Sequence, residues 1–296
     1  MRILIYGAGV IGSLYAVLLD KAGIDVTVCA RGRRLEALRT GGLRYLENGK
    51  IRKAEPKVTG CPDPGDRYDF IFLTVRENQL HQALRELADN RSDIVTFVNS
   101  AEDYREWEAV CGKGRILPAF PGAGGSIRDD VLDAGLTPSF LQPTTFGEIS
   151  GKRSGRTEKL ARIFRKAGIP FQIVSDMHLW QMCHLAMVVP IADAYYEAAV
   201  PERAGYDRAL MRKTAGRIRR NLRFMKERFG SLSPAKMYLF LYVPEGFLSL
   251  GLSLVFRSSF GERFMYRHSV KAPDEMRELH GKFYGFIGGE NVPSDT

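Results

Sequence analysis

The sequence predicts an α/β protein with two domains, an N-terminal doubly wound sheet followed by an all-α C-terminal domain. Three observations support this fold class. Short β-rich runs alternate with helical patterns in the first half, as in βαβ units whose parallel sheet has helices on both faces. The first strand leads through a glycine-rich turn into the first helix. From Asp176 onward, helical patterns follow one another almost without strands, so we predict domains of residues 1–174 and 175–296.

The elements of the first half follow one another in a regular order. It is predicted to begin with the strand MRILIYG, the helix VIGSLYAVLLDKAG and the strand DVTVCA. A short helix over Arg33–Arg39 and a hairpin from Leu43 to Val58 come next, followed by the strand YDFIFLTV, the helix NQLHQALRELAD and the strand DIVTFVN. RILPAF is expected to run through the turn FPGAGG to a β-hairpin at SFLQPTTFGEIS, ahead of the helix GRTEKLARIFRKAG. The small residues of that turn would suit either a ligand contact or a tight turn.

The chain carries a formal net charge of +9, and much of the excess lies in residues 203–229. In that segment an apolar stripe at helical spacing is formed by Met211, Thr214, Ile218, Leu222, Met225 and Phe229. The arginines on the other faces are expected to lie in solvent. Because aromatic interleaving and recognised binding motifs are missing, we predict no nucleic-acid partner. An anionic small-molecule ligand fits the charge equally well.

The segment Met237–Phe256 is nearly long enough to cross a bilayer. Pro244, Glu245 and Gly246 interrupt it, so we expect two buried helices joined by a turn, and no membrane span. These helices would suit a core or a homodimer interface equally well. The four cysteines lie far apart, with no pair at metal-ligand spacing and no secretory signal ahead of the first strand. This pattern predicts reduced thiols in a cytoplasmic protein without a metal site.

The glycine-rich turn ILIYGAGVIGSLYA follows a strand and opens a helix. Gly7 permits a tight turn, Gly9 lets the backbone approach a pyrophosphate, and Gly12 allows the strand and helix to pack closely. The helix N-terminus supplies N–H donors to an anion. Together with Val10 and Ile11, these glycines predict the dinucleotide-binding loop of a Rossmann-type domain. The alternative is a glycine turn with a structural role only.

The end of the second strand indicates which dinucleotide binds. An NAD site usually places Asp or Glu there, on the ribose 2′-hydroxyl. The stretch VTVCARGRR has no acid and offers Arg31, Arg33 and Arg34. Arginines suit a 2′-phosphate, so we predict that Arg31 and Arg34 bind NADPH. The alternative is that these arginines are only exposed residues at a helix start.

Over most of its length the chain resembles the ketopantoate reductase (2-dehydropantoate 2-reductase) family. The resemblance is carried by the glycine loop, by Arg31, by the stretches LTVRENQ and FVNS, and by TTFGEISGKRSGRTEKLARIFRKAGI with its pair Gly147 and Glu148. It implies that Arg76 replaces the basic residue, usually lysine, at a strand end, and that Asn99 lies beside the nicotinamide. It further implies reduction of a small anionic keto substrate by NADPH in a cleft between two domains.

The resemblance also assigns the catalytic positions of the family to one helix, anchored on Trp180 and Pro190. The lysine that protonates the ketone oxygen falls at Gln181, and two asparagines fall at Leu185 and Val189. All three polar functions of the family are therefore replaced in this chain.

Three residues remain candidates for catalysis. Gln181 can hydrogen-bond an oxyanion but cannot deliver a proton at neutral pH. His184, three residues later on much the same helical face, and His178, three residues earlier, titrate near neutrality, and we choose His184 as the candidate proton donor. Its alternative role is packing in an apolar helix. Near the C-terminus, KAPDEMRELHGKFYGF resembles the family's acidic motif and implies that Glu275 binds substrate; the alternative is an exposed carboxylate at a helix start.

Three functions fit these residues. The first is an NADPH-dependent reductase of a 2-keto acid or related ketone, which Asn99 and the histidines favour. The second is a non-catalytic NADPH-binding sensor or partner protein, which the missing lysine and asparagines favour. The third is a divergent hydroxyacid- or opine-type dehydrogenase, which would share the architecture and differ in substrate.

Overall fold

The computed structural model describes residues 1–266 and 273–288, without the side chains of residues 273–275. The chain divides into two compact units, Met1–Met177 and a second unit that begins at His178. The strands of the first unit are β1 Arg2–Tyr6, β2 Asp25–Cys29, β3 Leu43–Glu47, β4 Lys50–Ala54, β5 Lys57–Thr59, β6 Phe70–Leu73, β7 Ile94–Thr96, β8 Ile116–Phe120, β9 Ala123–Arg128, β10 Val131–Leu136, β11 Thr144–Phe146 and β12 Phe171–Ile173. Its helices are α1 Val10–Lys21, α2 Gly32–Gly41, α3 Leu80–Glu86, α4 Tyr104–Cys111 and α5 Gly155–Lys166.

The main sheet has the strand order β12-β11-β8-β7-β6-β1-β2-β5. β1 pairs in parallel with β2 and β6, and parallel pairing continues to β5 on one side and to β8 on the other. β11 runs antiparallel to β8. The strand order reverses beside β1, and ligands of doubly wound sheets bind at such a reversal, outside the carboxyl ends of the strands. The predicted α/β class with a doubly wound sheet is confirmed.

A second sheet, in the order β4-β3-β10-β9, was not predicted as a unit. The expected hairpin from Leu43 to Val58 is right for β3 and β4, but Val58 lies in β5 and pairs with β2 in the main sheet. The hairpin expected at residues 139–150 is wrong, since β9 and β10 form it earlier. The reason is Gly125, at φ +154°, where a Cβ would lie 2.3 Å from the Asp133 carbonyl oxygen. The glycine lets β9 and β10 approach each other closely, and the turn that joins these two strands is only two residues long.

The core of the first unit is an aromatic cluster that holds α1 and α5 against the main sheet. The ring of Tyr15 lies 5.0 Å from that of Phe97 and 6.2 Å from those of Phe72 and Phe164, measured between centroids. The Tyr15 hydroxyl also hydrogen-bonds the Thr144 hydroxyl at 2.5 Å. Burial raises the pKa of Tyr15 well above its usual range, so the phenol stays neutral. This packing fixes α1 in front of the carboxyl end of β1.

The helices of the second unit are α6 Met177–Glu197, α7 Arg208–Phe229, α8 Leu239–Tyr242, α9 Glu245–Phe256 and α10 Pro273–Phe286, with a π-helical turn at Gly261–Tyr266. The apolar stripe predicted on α7 is confirmed, since five of its six residues are buried: Met211, Thr214, Ile218, Leu222 and Met225. Basic side chains lie on the remaining faces of this helix.

The prediction that Met237–Phe256 forms two buried helices is wrong. Leu252 and Phe256 are buried, whereas the exposed fractions of Tyr242, Phe247 and Leu254 are 71%, 70% and 58%. One face of α9 packs so closely that a Cβ on Gly205 would lie 2.7 Å from the Phe256 Cβ. The opposite face is equally apolar but remains exposed. In the part of the chain that the structure describes, no helix combines the length and the apolar character required for a membrane span.

Candidate cofactor site

The glycine loop connects β1 to α1, and its three glycines face different surroundings. At Gly7 the backbone has φ +113°, and a Cβ would lie 2.9 Å from the Thr74 carbonyl oxygen. At Gly12 a Cβ would lie 2.0 Å from the Gly7 carbonyl oxygen and 2.5 Å from the Thr74 hydroxyl. A Cβ at Gly9 would meet no atom within 4 Å. Packing therefore requires glycine at positions 7 and 12, whereas position 9 faces open space.

Hydrogen bonds hold the loop in this shape. The Thr74 hydroxyl donates to the Gly7 carbonyl oxygen at 2.7 Å, and the Ser13 hydroxyl donates to the Ala8 carbonyl oxygen at 3.1 Å. Gly9 is the N-cap of α1 and gives no side-chain cap, and the first turn of the helix has no acidic residue. The N-terminus of α1 therefore presents backbone N–H groups and a positive dipole end without a resident carboxylate, which favours an anion.

A cavity of about 420 Å³ lies at the carboxyl ends of β1, β2 and β6. Gly7, Gly9 and three of the predicted cofactor-binding residues, Arg31, Arg34 and Arg76, line it. The structure thus brings together residues that are far apart in sequence, at the place where the strand order reverses. Val10, Ile11, Gly12 and Asn99 belong to the same loop and strand ends but are not among the lining residues.

Arg34 is fixed against the glycine loop. Its Nε donates to the Ala8 carbonyl oxygen at 3.2 Å, its Nη2 donates to the Ser13 hydroxyl at 3.2 Å, and its Nη1 lies 3.4 Å from the Asp130 carboxylate. Burial lowers the pKa of Arg34 and the charge of Asp130 opposes the shift, but a guanidinium stays charged at any physiological pH. A fixed positive charge therefore lies beside the first turn of α1.

Arg31 is held in a different way, by partners on β1 and α3. Its Nη2 donates to the Tyr6 hydroxyl at 2.5 Å and forms an ion pair with Glu86. The Tyr6 hydroxyl in turn donates to the Glu86 carboxylate, and Gln82 Nε2 donates to the same carboxylate at 3.1 Å. The guanidinium carbon of Arg31 lies 5.8 Å from the centre of the Tyr6 ring. Burial raises the pKa of Tyr6, against the opposing charge of Arg31.

Asn99 follows β7, near the centre of the sheet. Its Oδ1 is buried and accepts no hydrogen bond within residues 1–266 and 273–288. A buried carbonyl oxygen without a donor costs free energy of roughly 1–3 kcal/mol. A ligand that brings an amide N–H to this oxygen would remove that cost.

The candidate catalytic residues on α6 are buried. Gln181 and His184 have exposed fractions of 1% and 5%. The ring of His184 stacks on that of Trp180, one helical turn earlier, with centroids 5.3 Å apart and planes 8° from parallel. Leu185 and Val189, at the asparagine positions implied by the resemblance, are also buried. Glu275 lies in the first turn of α10, and its side chain is outside the described residues.

An ion pair between α6 and α10 was not predicted from the sequence. His280 Nδ1 lies 2.9 Å from Asp193 Oδ1, and the pair is partly buried. The hydrogen bond from His280 to Asp193 and the charges of Asp193 and Glu197 raise the pKa of His280, against burial and the charge of Arg217. The two partners are distant in sequence and share no motif, so only the packing of the two helices reveals them.

Replacing His280 with glutamine is expected to lower the stability of the second unit by about 0.5–1 kcal/mol in mild acid, because the lost pair is partly exposed. A raised folded-state pKa means that the pair stabilises fully below the unfolded value of 6.5 and loses its effect as the pH rises through the folded value. Urea unfolding of both proteins at about pH 6 and about pH 9 would measure this. Asp193→Asn should flatten the same pH dependence; an equal loss at both pH values would contradict the assignment.

Comparison with known proteins shows a family similarity in part of the first unit. The model of a family described as "Ketopantoate reductase PanE/ApbA" matches residues 3–130. A 2-dehydropantoate 2-reductase of Pyrococcus horikoshii is 41% identical over 190 residues, or 61% of this chain and 58% of that protein. Over residues 3–130, the chain is similar to the ketopantoate reductase family. The family resemblance drawn from the sequence motifs is confirmed.

A second 2-dehydropantoate 2-reductase matches over a similar range. The 2-dehydropantoate 2-reductase of Archaeoglobus fulgidus is 32% identical over 179 residues, which cover 60% of this chain and 57% of the relative. The matched part is thus less than two thirds of the length of each of these relatives.

Solved structures share the fold over nearly the whole chain. A 2-dehydropantoate 2-reductase from Geobacter metallireducens covers 97% of this chain and 100% of its own, with a TM-score of 0.69 and 16% identity. A D-mandelate dehydrogenase solved with NADH covers 96% of this chain and 93% of its own, with a TM-score of 0.68 and 14% identity. At these identities the likeness concerns the fold alone.

Proposed function

We propose that this protein is an oxidoreductase that uses NADPH to reduce a small 2-keto acid or a related ketone. The observation that carries the proposal is the cavity at the strand-order reversal, where a glycine loop, an uncapped helix N-terminus and Arg31, Arg34 and Arg76 converge. This combination suits the phosphates of a dinucleotide. The names of the family relatives, 2-dehydropantoate 2-reductase, support the reaction class.

The residues of the first unit would hold the cofactor at separate points. Gly9 and the first N–H groups of α1 would bind the pyrophosphate, because no side chain intervenes there. Arg31 and Arg34 would bind the 2′-phosphate, and Arg76 would add positive charge at the end of β6. The unsatisfied Oδ1 of Asn99 would accept the carboxamide N–H of the nicotinamide. When bound, NADPH supplies the hydride.

The residues of the second unit would complete the reaction on an anionic keto substrate, which the net charge of +9 favours. Gln181 would donate a hydrogen bond to the developing alkoxide, and His184 would deliver the proton. The stacked Trp180 ring would fix the orientation of the imidazole. Substrate binding by Glu275 stays a prediction, as does a cytoplasmic location. A homodimer also stays a prediction, and the exposed apolar residues of α8 and α9 are the surface on which we would look for it.

Two further functions stay open. The second candidate is a non-catalytic NADPH-binding protein, and the buried apolar residues Leu185 and Val189 at the asparagine positions favour it. The third candidate, a hydroxyacid- or opine-type dehydrogenase, is supported by the architecture shared with D-mandelate dehydrogenase. It differs from the main proposal only in the substrate.

The test of the proposal begins with NADPH binding, followed by cofactor fluorescence. NADPH oxidation is then measured spectroscopically with ketopantoate and a panel of 2-keto acids. Turnover of any of them supports a reductase, and the preferred substrate separates the first candidate from the third. NADPH binding without turnover on the panel favours the non-catalytic protein. Absence of NADPH binding would refute the first two candidates, and absence of NADH binding as well would refute the third.

Replacing Gly9 with valine is expected to weaken NADPH binding about tenfold or more, which is about 1.4 kcal/mol. The new side chain would occupy the space in front of α1, where a Cβ meets no atom within 4 Å. Because valine is a poorer N-cap than glycine, we expect the free energy of unfolding to fall by no more than about 1 kcal/mol. Gly216→Val is a matched control on α7, where a Cβ also meets no atom within 4 Å. NADPH binding by the Gly9 variant as tight as by the control would argue against a pyrophosphate at this loop.

A further inference from the structure

A carboxylate from α3, an element outside the sequence motifs, contacts three residues that line the cavity at the carboxyl ends of β1, β2 and β6. Glu86 is the last residue of α3, and it pairs with Arg31, the arginine at the end of β2. Two more residues hold the carboxylate from the cavity wall: Tyr6 donates its hydroxyl hydrogen, and Gln82 donates from Nε2 at 3.1 Å. Arg31, Tyr6 and Gln82 all line the cavity. Glu86 itself does not, so it acts through them.

The ion pair reduces the net positive charge that a ligand in the cavity would contact at Arg31. Arg31 is the residue at the end of β2 where a 2′-phosphate would be recognised, but its charge is balanced by Glu86 and its Nη2 is engaged by both Glu86 and Tyr6. A 2′-phosphate has to compete with the carboxylate for this guanidinium. A ribose 2′-hydroxyl carries no charge and does not need Arg31 free. Arg34 differs, because it is held by the loop carbonyl of Ala8 and the Ser13 hydroxyl.

We propose that Glu86 determines the selectivity between the two nicotinamide dinucleotides, by holding Arg31 against Tyr6 and so lowering the preference of the cavity for a 2′-phosphate. The inference rests on the proposed function, since it concerns the same cavity. It makes Glu86 a positioning residue, with Tyr6 as its anchor on β1. The absence of an acid in the stretch VTVCARGRR is thus offset by an acid from α3.

The test is the affinity of wild-type protein and of Glu86→Gln for NADPH and NADH. Glutamine keeps the size of the side chain and can still hydrogen-bond Tyr6, but it releases the charge of Arg31. We expect the variant to bind NADPH about fivefold more tightly, which corresponds to about 1 kcal/mol. NADH binding should be unchanged or weaker, so the ratio of the two dissociation constants should shift toward NADPH. Structural damage would instead weaken both dinucleotides together.

Two comparisons sharpen the result. Adenosine 2′,5′-bisphosphate and 5′-AMP differ by the 2′-phosphate alone, so the same shift should be found with these two fragments. Glu47→Gln is the matched control, because it removes one carboxylate from an exposed ion pair with Lys21 and changes the net charge equally. It should leave the ratio unchanged.

The outcomes separate the inference from the function on which it rests. If both dinucleotides bind and Glu86→Gln leaves their ratio as in wild type, the inference is wrong and the proposed function stands. An equal shift in Glu47→Gln would mean that net charge alone is responsible, which also overturns the inference. If neither protein binds either dinucleotide, both the proposed function and the inference fail.

Discussion

Replacing Gly12 with alanine is expected to destabilise the first unit by about 3 kcal/mol and to abolish dinucleotide binding. The added Cβ would lie 2.0 Å from the carbonyl oxygen of Gly7, in the loop, and 2.5 Å from the hydroxyl of Thr74, which follows β6. Neither can move alone, because the Thr74 hydroxyl donates to that carbonyl oxygen. Helix α1 would therefore have to shift away from β1, which would deform the loop. Urea unfolding and NADPH fluorescence would measure the two effects.

Gly9→Ala is the control for the Gly12 experiment, since it adds the same methyl group two residues after Gly7 where no atom lies within 4 Å. Its backbone has φ −72° and ψ −167°, which alanine adopts without strain. Because alanine is a poorer N-cap than glycine, we expect this variant to lose at most about 1 kcal/mol of unfolding free energy. A Gly12→Ala protein as stable as the control would contradict the close packing of β1 and α1.

Replacing Arg156 with alanine is expected to cost about 3–5 kcal/mol, because it leaves a buried carboxylate without its partner. Arg156 Nε donates to Glu148 at 2.8 Å, Nη2 donates to the same carboxylate at 2.5 Å, and Nη1 lies 3.0 Å from Asp93. The guanidinium also donates to the carbonyl oxygens of Gly114 and Ile116, at 2.6 Å and 2.9 Å. The side chain of Arg156 therefore connects α5 to residues beside three strands of the main sheet: β7, β8 and β11.

The pH dependence of this effect identifies Glu148 as the affected group. Burial alone would raise the pKa of Glu148, but hydrogen bonds from Arg156 and Ser154 and the charge of Arg156 hold the pKa below its ordinary value of 4.5. The stabilisation is therefore fully present above that value and is lost as the pH falls through the lower folded-state pKa. The difference in unfolding free energy between wild type and Arg156→Ala should narrow in acid.

Arg153→Ala serves as the control for Arg156. Its guanidinium pairs with Glu158 at 3.3 Å and is exposed, so we expect a loss below about 0.5 kcal/mol. Chemical unfolding at several pH values would measure all three proteins. A difference between wild type and Arg156→Ala that does not change with pH would show that Glu148 is not the group left unpaired.

Local patterns were sufficient to predict the doubly wound sheet and its glycine loop. Alternation of strands and helices is a local property, and the three glycines lie within one βα unit of the sequence. The second sheet could not be predicted in this way, because β3 pairs with β10, a strand that lies far from it in the sequence. The ion pair of Arg31 and Glu86 could not be predicted for the same reason. The sequence does not indicate which strand end a side chain at the end of α3 will contact.

The second unit shows a different limit. The apolar stripe of α7 has polar faces beside it, so its buried side could be predicted. In α9 seven of the twelve residues have large apolar side chains, and these lie on more than one face of the helix, so the sequence does not indicate which side has a partner in the folded chain. Leu252 and Phe256 have one, whereas Phe247 and Leu254 are exposed. The family resemblance predicted the position of Gln181, and helical spacing predicted that His184 shares its face. Only the structure shows that both side chains are buried.

The pairing of β3 with β10 has a consequence for how the chain is made. The hairpin of β3 and β4 leaves the ribosome early, but β10, the strand that pairs with β3, follows only after β5 to β9 have been synthesised. Until then the backbone N–H and C=O groups along one side of β3 have no strand beside them, and such an open edge can pair with another chain. The exposed side chains of β4 include Lys50, Arg52 and Lys53, whose charges oppose that pairing. The basic hairpin would thus protect the nascent protein from aggregation while its sheet is incomplete.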